Sequence, residues 1–193
     1  MAQGRAAFPA YLDQWRQYGL STDSCLEIGC GVGRMTAQLL DVFEEVHAVD
    51  VSEEMLSKAR VLVPGATYHL VRGSELPEVR TTAVFSTQVF QHFASEADAF
   101  DYFRSIGGVL RGSLLIQLPL YEWPSSLRLE PLYRARVAAR NLLVDRIGGM
   151  RLRAYRQSWV GEVLESLGFA DVQFRSFAVP GSAKGQSAVL ARR

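Results

Sequence analysis

With 193 residues, of which 48% are hydrophobic and 21% charged, the chain has the length of one domain and the balance of a globular rather than a disordered protein. A formal net charge of +1 weighs against nucleic acid as an obligatory partner. No apolar run approaches the ~20 residues of a membrane span, and the N-terminus shows no charged start leading into an apolar stretch. The expectation is a soluble, cytoplasmic protein with no membrane partner. Cys25 and Cys30 sit five apart, and His47, His69 and His92 are scattered, so no zinc-ligand spacing exists and no metal is expected.

Strand-like runs alternate with helix-like segments, the pattern of a mostly parallel sheet covered by helices. Residues 8–18 read as a leading helix and 24–28 as the first strand. A helix opening near Gly33 turns Met35, Leu39 and Leu40 inward. Residues 45–49 form the second strand, after which Ser52 caps a helix whose first turn holds Glu53 and Glu54, complementing the helix dipole. Strands are predicted at 67–71, 83–86 and 113–118, with a helix over 96–105 between the last two. A segment of 38 residues, 119–156, then breaks the alternation. Beyond it, Trp159, Val163 and Leu167 mark a helix closed by Gly168. Strands at 172–177 and 187–191, joined by a turn at 180–185, are expected to pair antiparallel.

The strongest signal lies between the first two strands. Gly29, Gly31 and Gly33 follow a strand and precede a helix, where backbone approaches a ligand closely and helix N–H groups face it. Asp50 ends the next strand, about 20 residues on, where a carboxylate grips ribose hydroxyls. The position three after Gly31 is Arg34, not the glycine or alanine of a dinucleotide site. Glu27 would moreover repel a pyrophosphate and suits a ligand with an ammonium group. A nucleoside bearing an amino-acid tail and no phosphate fits both facts.

Leu26-Glu27-Ile28-Gly29-Cys30-Gly31-Val32-Gly33 resembles the first motif of class I S-adenosylmethionine-dependent methyltransferases, and Val49-Asp50-Val51-Ser52-Glu53-Glu54-Met55-Leu56 resembles their second. Val71-Arg72-Gly73-Ser74-Glu75-Leu76-Pro77 is similar to the third, and Val84 to His92 to the segment after the fourth strand. The resemblance covers roughly residues 24–118 and 158–193, and it is closest to the group acting on small molecules. It implies a single Rossmann-like domain over 1–193: a seven-stranded, mostly parallel sheet with an antiparallel last strand, helices on both faces and a helical insertion over 119–156. By the same resemblance S-adenosyl-L-methionine is the cofactor. Gly29, Cys30 and Gly31 pass under its methionine part, Glu27 supports its amino group, and Asp50 binds the ribose diol. Val51 and Met55 flank the adenine, which Ser74 or Glu75 would meet at its edge. Thr87 and Gln88 lie near the methionine tail, and Arg34 is a candidate for its carboxylate.

His92 follows the fourth strand at the ligand end of the sheet, where a histidine could accept a proton from a substrate hydroxyl. The insertion carries eight arginines against Glu122, Glu130 and Asp145. Within it Leu132, Ala135, Ala139, Leu142 and Leu143 recur at helical spacing, predicting a helix with a packed face. Together with Tyr121, Trp123, Tyr133 and Tyr155 it is expected to wall a pocket for an aromatic or anionic small molecule, with residues 8–18 as a lid opposite. The motifs of nucleic-acid amino methylation, arginine methylation and metal-dependent catechol methylation are all missing. The expected activity is methyl transfer to oxygen, nitrogen or carbon of a small molecule, as in quinone or natural-product biosynthesis. Two other readings keep the same cofactor: a non-catalytic binding module serving as partner or regulator, and a ring closure or other non-transfer reaction.

Overall fold

A computed structural model describes residues 2–122, 152–178 and 186–193, together with positions 132, 135, 138 and 139. Its elements in chain order are α1 (Ala2–Tyr18), β1 (Ser24–Ile28), α2 (Thr36–Leu39), β2 (Glu45–Asp50), α3 (Glu53–Leu62), β3 (Thr67–Leu70), β4 (Thr81–Ser86), α4 (Glu96–Val109), β5 (Leu110–Gln117), β6 (Leu120–Tyr121), β7 (Tyr155–Arg156), α5 (Gln157–Ser166), β8 (Ala170–Phe177) and β9 (Gln186–Arg192). Seven strands form one sheet in the order β3-β2-β1-β4-β5-β9-β8. The first five run parallel, and β9 is antiparallel to both β5 and β8. The expected doubly covered sheet is therefore what the chain forms; the turn foreseen at 180–185 lies outside the described residues.

Local chemistry accounts for the boundaries. The Ser52 hydroxyl accepts the Met55 amide at the start of α3. Ser95 and Asp98 exchange backbone-to-side-chain bonds in a capping box that opens α4. Gly168, at φ +82°, follows α5 in the left-handed region. Strand β1 is buried at all five positions, as expected of a central parallel strand covered on both faces. The sheet reverses strand order between β1 and β4, and ligands of open α/β folds bind beyond the carboxyl ends of such a pair. The loops after β1 and β4 both emerge there.

One face of the sheet packs on α4 and α5 through Phe103, Ile106, Val160 and Leu164. The other packs on α1, and this overturns the expectation of a lid. Phe8, Tyr11 and Trp15 are buried at 5%, 2% and 0% exposure. Trp15 stacks on Phe85 with ring centroids 5.8 Å apart, and its Nε1–H donates to the Ser113 hydroxyl at 2.8 Å. The apolar stripe of α1 is long enough to cover the β1–β4–β5 face, and burying it there is worth more than leaving it over an open cleft. Trp15→Ala is expected to cost about 3–5 kcal/mol, the cavity term included, out of a total near 5–15 kcal/mol. Urea unfolding followed by circular dichroism measures it; a loss below about 1 kcal/mol would show that α1 contributes little to the core.

The insertion is pinned at its roots. β6 and β7 pair in parallel, Leu120 opposite Tyr155 and Tyr121 opposite Arg156. Tyr155 is fully buried and donates its hydroxyl to the Phe90 carbonyl at 2.6 Å. Positions 132, 135, 138 and 139 are helical, as the periodicity predicts, but all four are exposed, Leu132 at 68%. The packed face is thus not formed at Leu132, Ala135 or Ala139, because periodicity marks an apolar stripe without supplying a surface to cover it. Leu142, Leu143, Trp123 and Tyr133 lie outside the described residues.

Candidate active site

The loop after β1 is built by backbone conformations that favour glycine. Gly29 stands at φ +76° and Gly31 at φ +54°. A Cβ on Gly29 would lie 2.1 Å from Val89 Cγ2, so its absence lets the loop after β4 close against the loop after β1. A Cβ on Gly31 or Gly73 would meet no protein atom within 4 Å; both residues border open space. The Gly29 and Cys30 amides donate to the Val49 carbonyl at 2.8 and 3.0 Å, tying the loop to β2. Asp50 completes the tie: its Oδ2 accepts the Gly31 amide at 2.8 Å and its Oδ1 accepts the Ser52 amide at 2.9 Å. One carboxylate therefore aligns the glycine loop and the start of α3 together.

These groups edge a cavity of about 800 Å³ at the carboxyl end of the sheet. Gly29, Gly31, Asp50, Val51 and Met55 line one side. Gly73, Ser74, Asp98 and Tyr102 line another, while Gln88, His92 and Phe93 close the β4 side. Val51 and Met55, apolar yet 64% and 37% exposed, present a greasy ledge beside the Asp50 carboxylate. An open glycine floor, a carboxylate at the second strand end and an apolar ledge beyond it match what a nucleoside with an amino-acid tail needs.

The structure brings together eight of the predicted residues on this wall: Gly29, Gly31, Asp50, Val51, Met55, Ser74, Gln88 and His92. Thr87 sits beside Gln88, half-buried but off the wall. Arg34 and Glu75 are exposed and border other solvent. Cys30 is buried against Ala48, Leu56 and Tyr68, with its thiol pushed far up by burial, so it fills space behind the loop. Asp98, Asp101, Tyr102 and Phe93 were not foreseen on the wall. A helix over 96–105 was expected, but nothing local says that α4 begins at the cavity. Among the described wall residues none is arginine or lysine. The charge basis for an anionic acceptor therefore rests on insertion residues, many of which lie outside the described residues.

The β4 loop is held in a demanding conformation. Gln88 takes φ +64°, rare for a residue with a Cβ, and its amide donates to the buried Gln117 side chain at 2.8 Å. From the far root of the insertion, the Arg153 amide donates to the Gln91 carbonyl at 2.7 Å. Its Nε donates to the Phe93 carbonyl at 3.2 Å, and its guanidinium also donates to the Ala94 carbonyl. The segment carrying His92 and Phe93 is thus fastened from both sides.

Glu27 lies behind the glycine loop, 3% exposed, and accepts the Thr36 hydroxyl at 2.5 Å. Burial pushes its carboxyl up to about 7; the Thr36 hydrogen bond opposes that rise and the nearby Asp50 charge adds to it. Below that value the folded chain holds a proton that the unfolded chain, with an ordinary carboxyl near 4.5, has released. Stability from this group therefore falls as pH rises from about 4.5 to about 7, by about 3 kcal/mol in all. Burial and the neighbouring His47 lower the His69 pKa, and this works in the opposite sense, costing stability as pH falls below about 6.5. Urea unfolding of wild type and Glu27→Gln at pH 5.5 and 8 separates the two. The variant is expected to gain relative stability at pH 8, and an equal difference at both pH values would refute the buried-charge cost.

The sheet order, the antiparallel β9 and a glycine loop facing a strand-end carboxylate define the class I methyltransferase fold. Residues 26–113 match the family model described as a methyltransferase domain. Magnesium protoporphyrin IX methyltransferase from Synechocystis PCC 6803, solved with bound S-adenosylhomocysteine, is 17% identical with a TM-score of 0.68, over 98% of this chain and 82% of that one. A methyltransferase from Methanosarcina mazei is 14% identical with a TM-score of 0.72, over 93% and 96% of the two chains. One from Clostridium acetobutylicum is 13% identical with a TM-score of 0.69, over 97% and 91%. No curated protein matches by sequence.

Proposed function

We propose that the chain transfers the methyl group of S-adenosyl-L-methionine to a small-molecule acceptor. The observation that carries this reading is the double bracing of Asp50 at the rim of a glycine-floored cavity, supported by the methyltransferase-domain match. The cofactor brings a sulfonium-bound methyl group that is already strongly electrophilic. The chain's part is to align the acceptor and to exclude water. Gly29 and Gly31 floor the amino-acid tail, Asp50 takes the ribose hydroxyls, and Val51 with Met55 covers the base. Phe93 and Tyr102 offer aromatic surface on the wall, which favours an acceptor with a flat apolar part. His92, exposed on the same wall, takes the proton of a hydroxyl acceptor.

The decisive assay follows conversion of S-adenosylmethionine to S-adenosylhomocysteine with a panel of small hydroxyl, amine and carbon acceptors. Acceptor-dependent turnover supports the proposal. Tight cofactor binding with no turnover across the panel would favour a binding module instead.

The insertion roots contribute to the acceptor wall through Arg153, whose bonds hold the segment of His92 and Phe93. Arg153→Ala is expected to speed amide exchange over residues 90–94 while leaving cofactor affinity near wild type. Hydrogen-exchange mass spectrometry with calorimetry checks it. Unchanged exchange there would detach the insertion from the site.

A further inference from the structure

We propose that Gln117 is a positioning residue of the β4 loop: a buried tie that keeps Gln88 in its left-handed conformation and so fixes where His92 stands. The inference rests on the methyltransferase reading of the cavity. A residue with a Cβ holds positive φ only where its surroundings impose it, and such residues gather at functional sites. Among the described residues, two other than glycine do so, Gln88 and Asp171. Asp171 sits where the register of β8 slips against β9, which accounts for its backbone. Gln88 lies beyond the end of β4, where no strand register accounts for it.

Gln117 supplies the constraint. It ends β5 one residue past Ile116, which stands opposite Ser86 at the end of β4. From there its side chain reaches the Gln88 amide, which donates to Oε1 at 2.8 Å, and Gln117 is itself 3% exposed. The chain beyond it is fixed as well. The Leu118 amide donates to the Ser187 carbonyl at 3.1 Å, and the Ser187 hydroxyl donates to the Leu118 carbonyl at 2.7 Å. Gln117 is not on the cavity wall, so its effect there passes through the loop. With Gln88 kinked, Val89 packs into the space a Cβ on Gly29 would fill, and the Phe90–His92 turn begins directly after it. The Gln88 side chain, on the wall, accepts the Gln91 side-chain amide at 3.3 Å, and Gln91 Nε2 lies 3.2 Å from His92 Nε2. Removing the tie leaves the Gln88 amide without its partner and the left-handed backbone without its support, so the turn carrying His92 shifts.

Gln117→Met keeps the reach of the side chain but offers no strong acceptor, so the core stays filled while the tie is lost. Full-chain variants are compared by amide exchange over residues 87–92 and by calorimetry with S-adenosylhomocysteine. Turnover of S-adenosylmethionine is followed with phenol, catechol and 2-naphthol as probe acceptors. Gln117→Met is expected to exchange these amides about tenfold faster or more and to lose kcat by roughly 10- to 100-fold, the cost of a displaced group. Its S-adenosylhomocysteine Kd is expected to stay within about threefold of wild type, because the groups that floor and flank the cofactor are not moved. Gln117→Glu keeps an acceptor oxygen and is expected to recover most of the rate. In the Gln88→Gly background Gln117→Met is expected to cost less than about threefold, since glycine holds positive φ without help. A kcat within about threefold of wild type in Gln117→Met, an equal loss in Gln117→Glu, or an equal cost in both backgrounds overturns the proposal and leaves the methyltransferase reading intact. A matching loss of S-adenosylhomocysteine affinity overturns it too, because the whole site would then have collapsed. Cofactor binding by wild type without turnover across the whole acceptor panel refutes that reading and this proposal together.

Discussion

Asp50→Ala is expected to weaken S-adenosylmethionine binding by roughly 10²–10⁴-fold, the sum of two charge-assisted hydrogen bonds of about 1.5–3 kcal/mol each. The carboxylate spends one acceptor position on the Gly31 amide and one on the Ser52 amide, leaving the remaining lone pairs for the two ribose hydroxyls. Removing it deletes the ribose contacts and also releases the glycine loop from the start of α3. Asp50→Asn retains one acceptor oxygen, so it should keep part of the loop bracing and fall between the two. Titration calorimetry with S-adenosylhomocysteine gives both affinities, and thermal unfolding of the apo proteins shows how much of the loss is loop disorder. An Asp50→Ala protein that binds as wild type does would place the ribose elsewhere.

His92→Ala is expected to lower turnover with a hydroxyl acceptor by roughly 10²–10⁴-fold, the usual contribution of a positioned general base. His92 ends a short 3-10 turn, Phe90–His92, directly after the β4 loop and lines the same cavity as Gly29 and Asp50. The turn is anchored through the Phe90 carbonyl, which accepts the buried Tyr155 hydroxyl, so the histidine stands on a fixed base. Because no predicted cofactor contact passes through the imidazole, calorimetry should show near wild-type S-adenosylmethionine affinity in the variant. With an acceptor that is already anionic the penalty should shrink, since no proton needs removing. Turnover within a few-fold of wild type on a hydroxyl acceptor would assign the side chain to packing.

Much of this site was legible before any coordinates, because its determinants are local. Glycine at 29 and 31 is demanded by positive φ within a single strand-to-helix turn, and the interval to Asp50 follows from one helix and one strand of ordinary length. The serine cap at 52 acts within three residues of itself, so the start of α3 could be read directly. The antiparallel ending also followed from chain economy, since so short a connection cannot carry a crossover.

What the sequence determined alone is therefore the strand–glycine loop–helix unit, its strand-end acid and the alternation that makes a doubly covered sheet. The tertiary structure decided the rest. An apolar stripe states that α1 must be buried but not against which face; in the fold its Phe8, Tyr11 and Trp15 pack on Phe85 of the sheet. Likewise Glu27 carries the charge of a ligand group, yet its place in an all-buried strand turns it to Thr36 behind the loop. Asp98, Tyr102 and Phe93 reach the cavity only because a Tyr102–Gly73 bond and an Arg153 clamp join segments 29 and about 60 residues apart. Such contacts depend on how elements pack in three dimensions, and no periodicity or spacing along the chain encodes them.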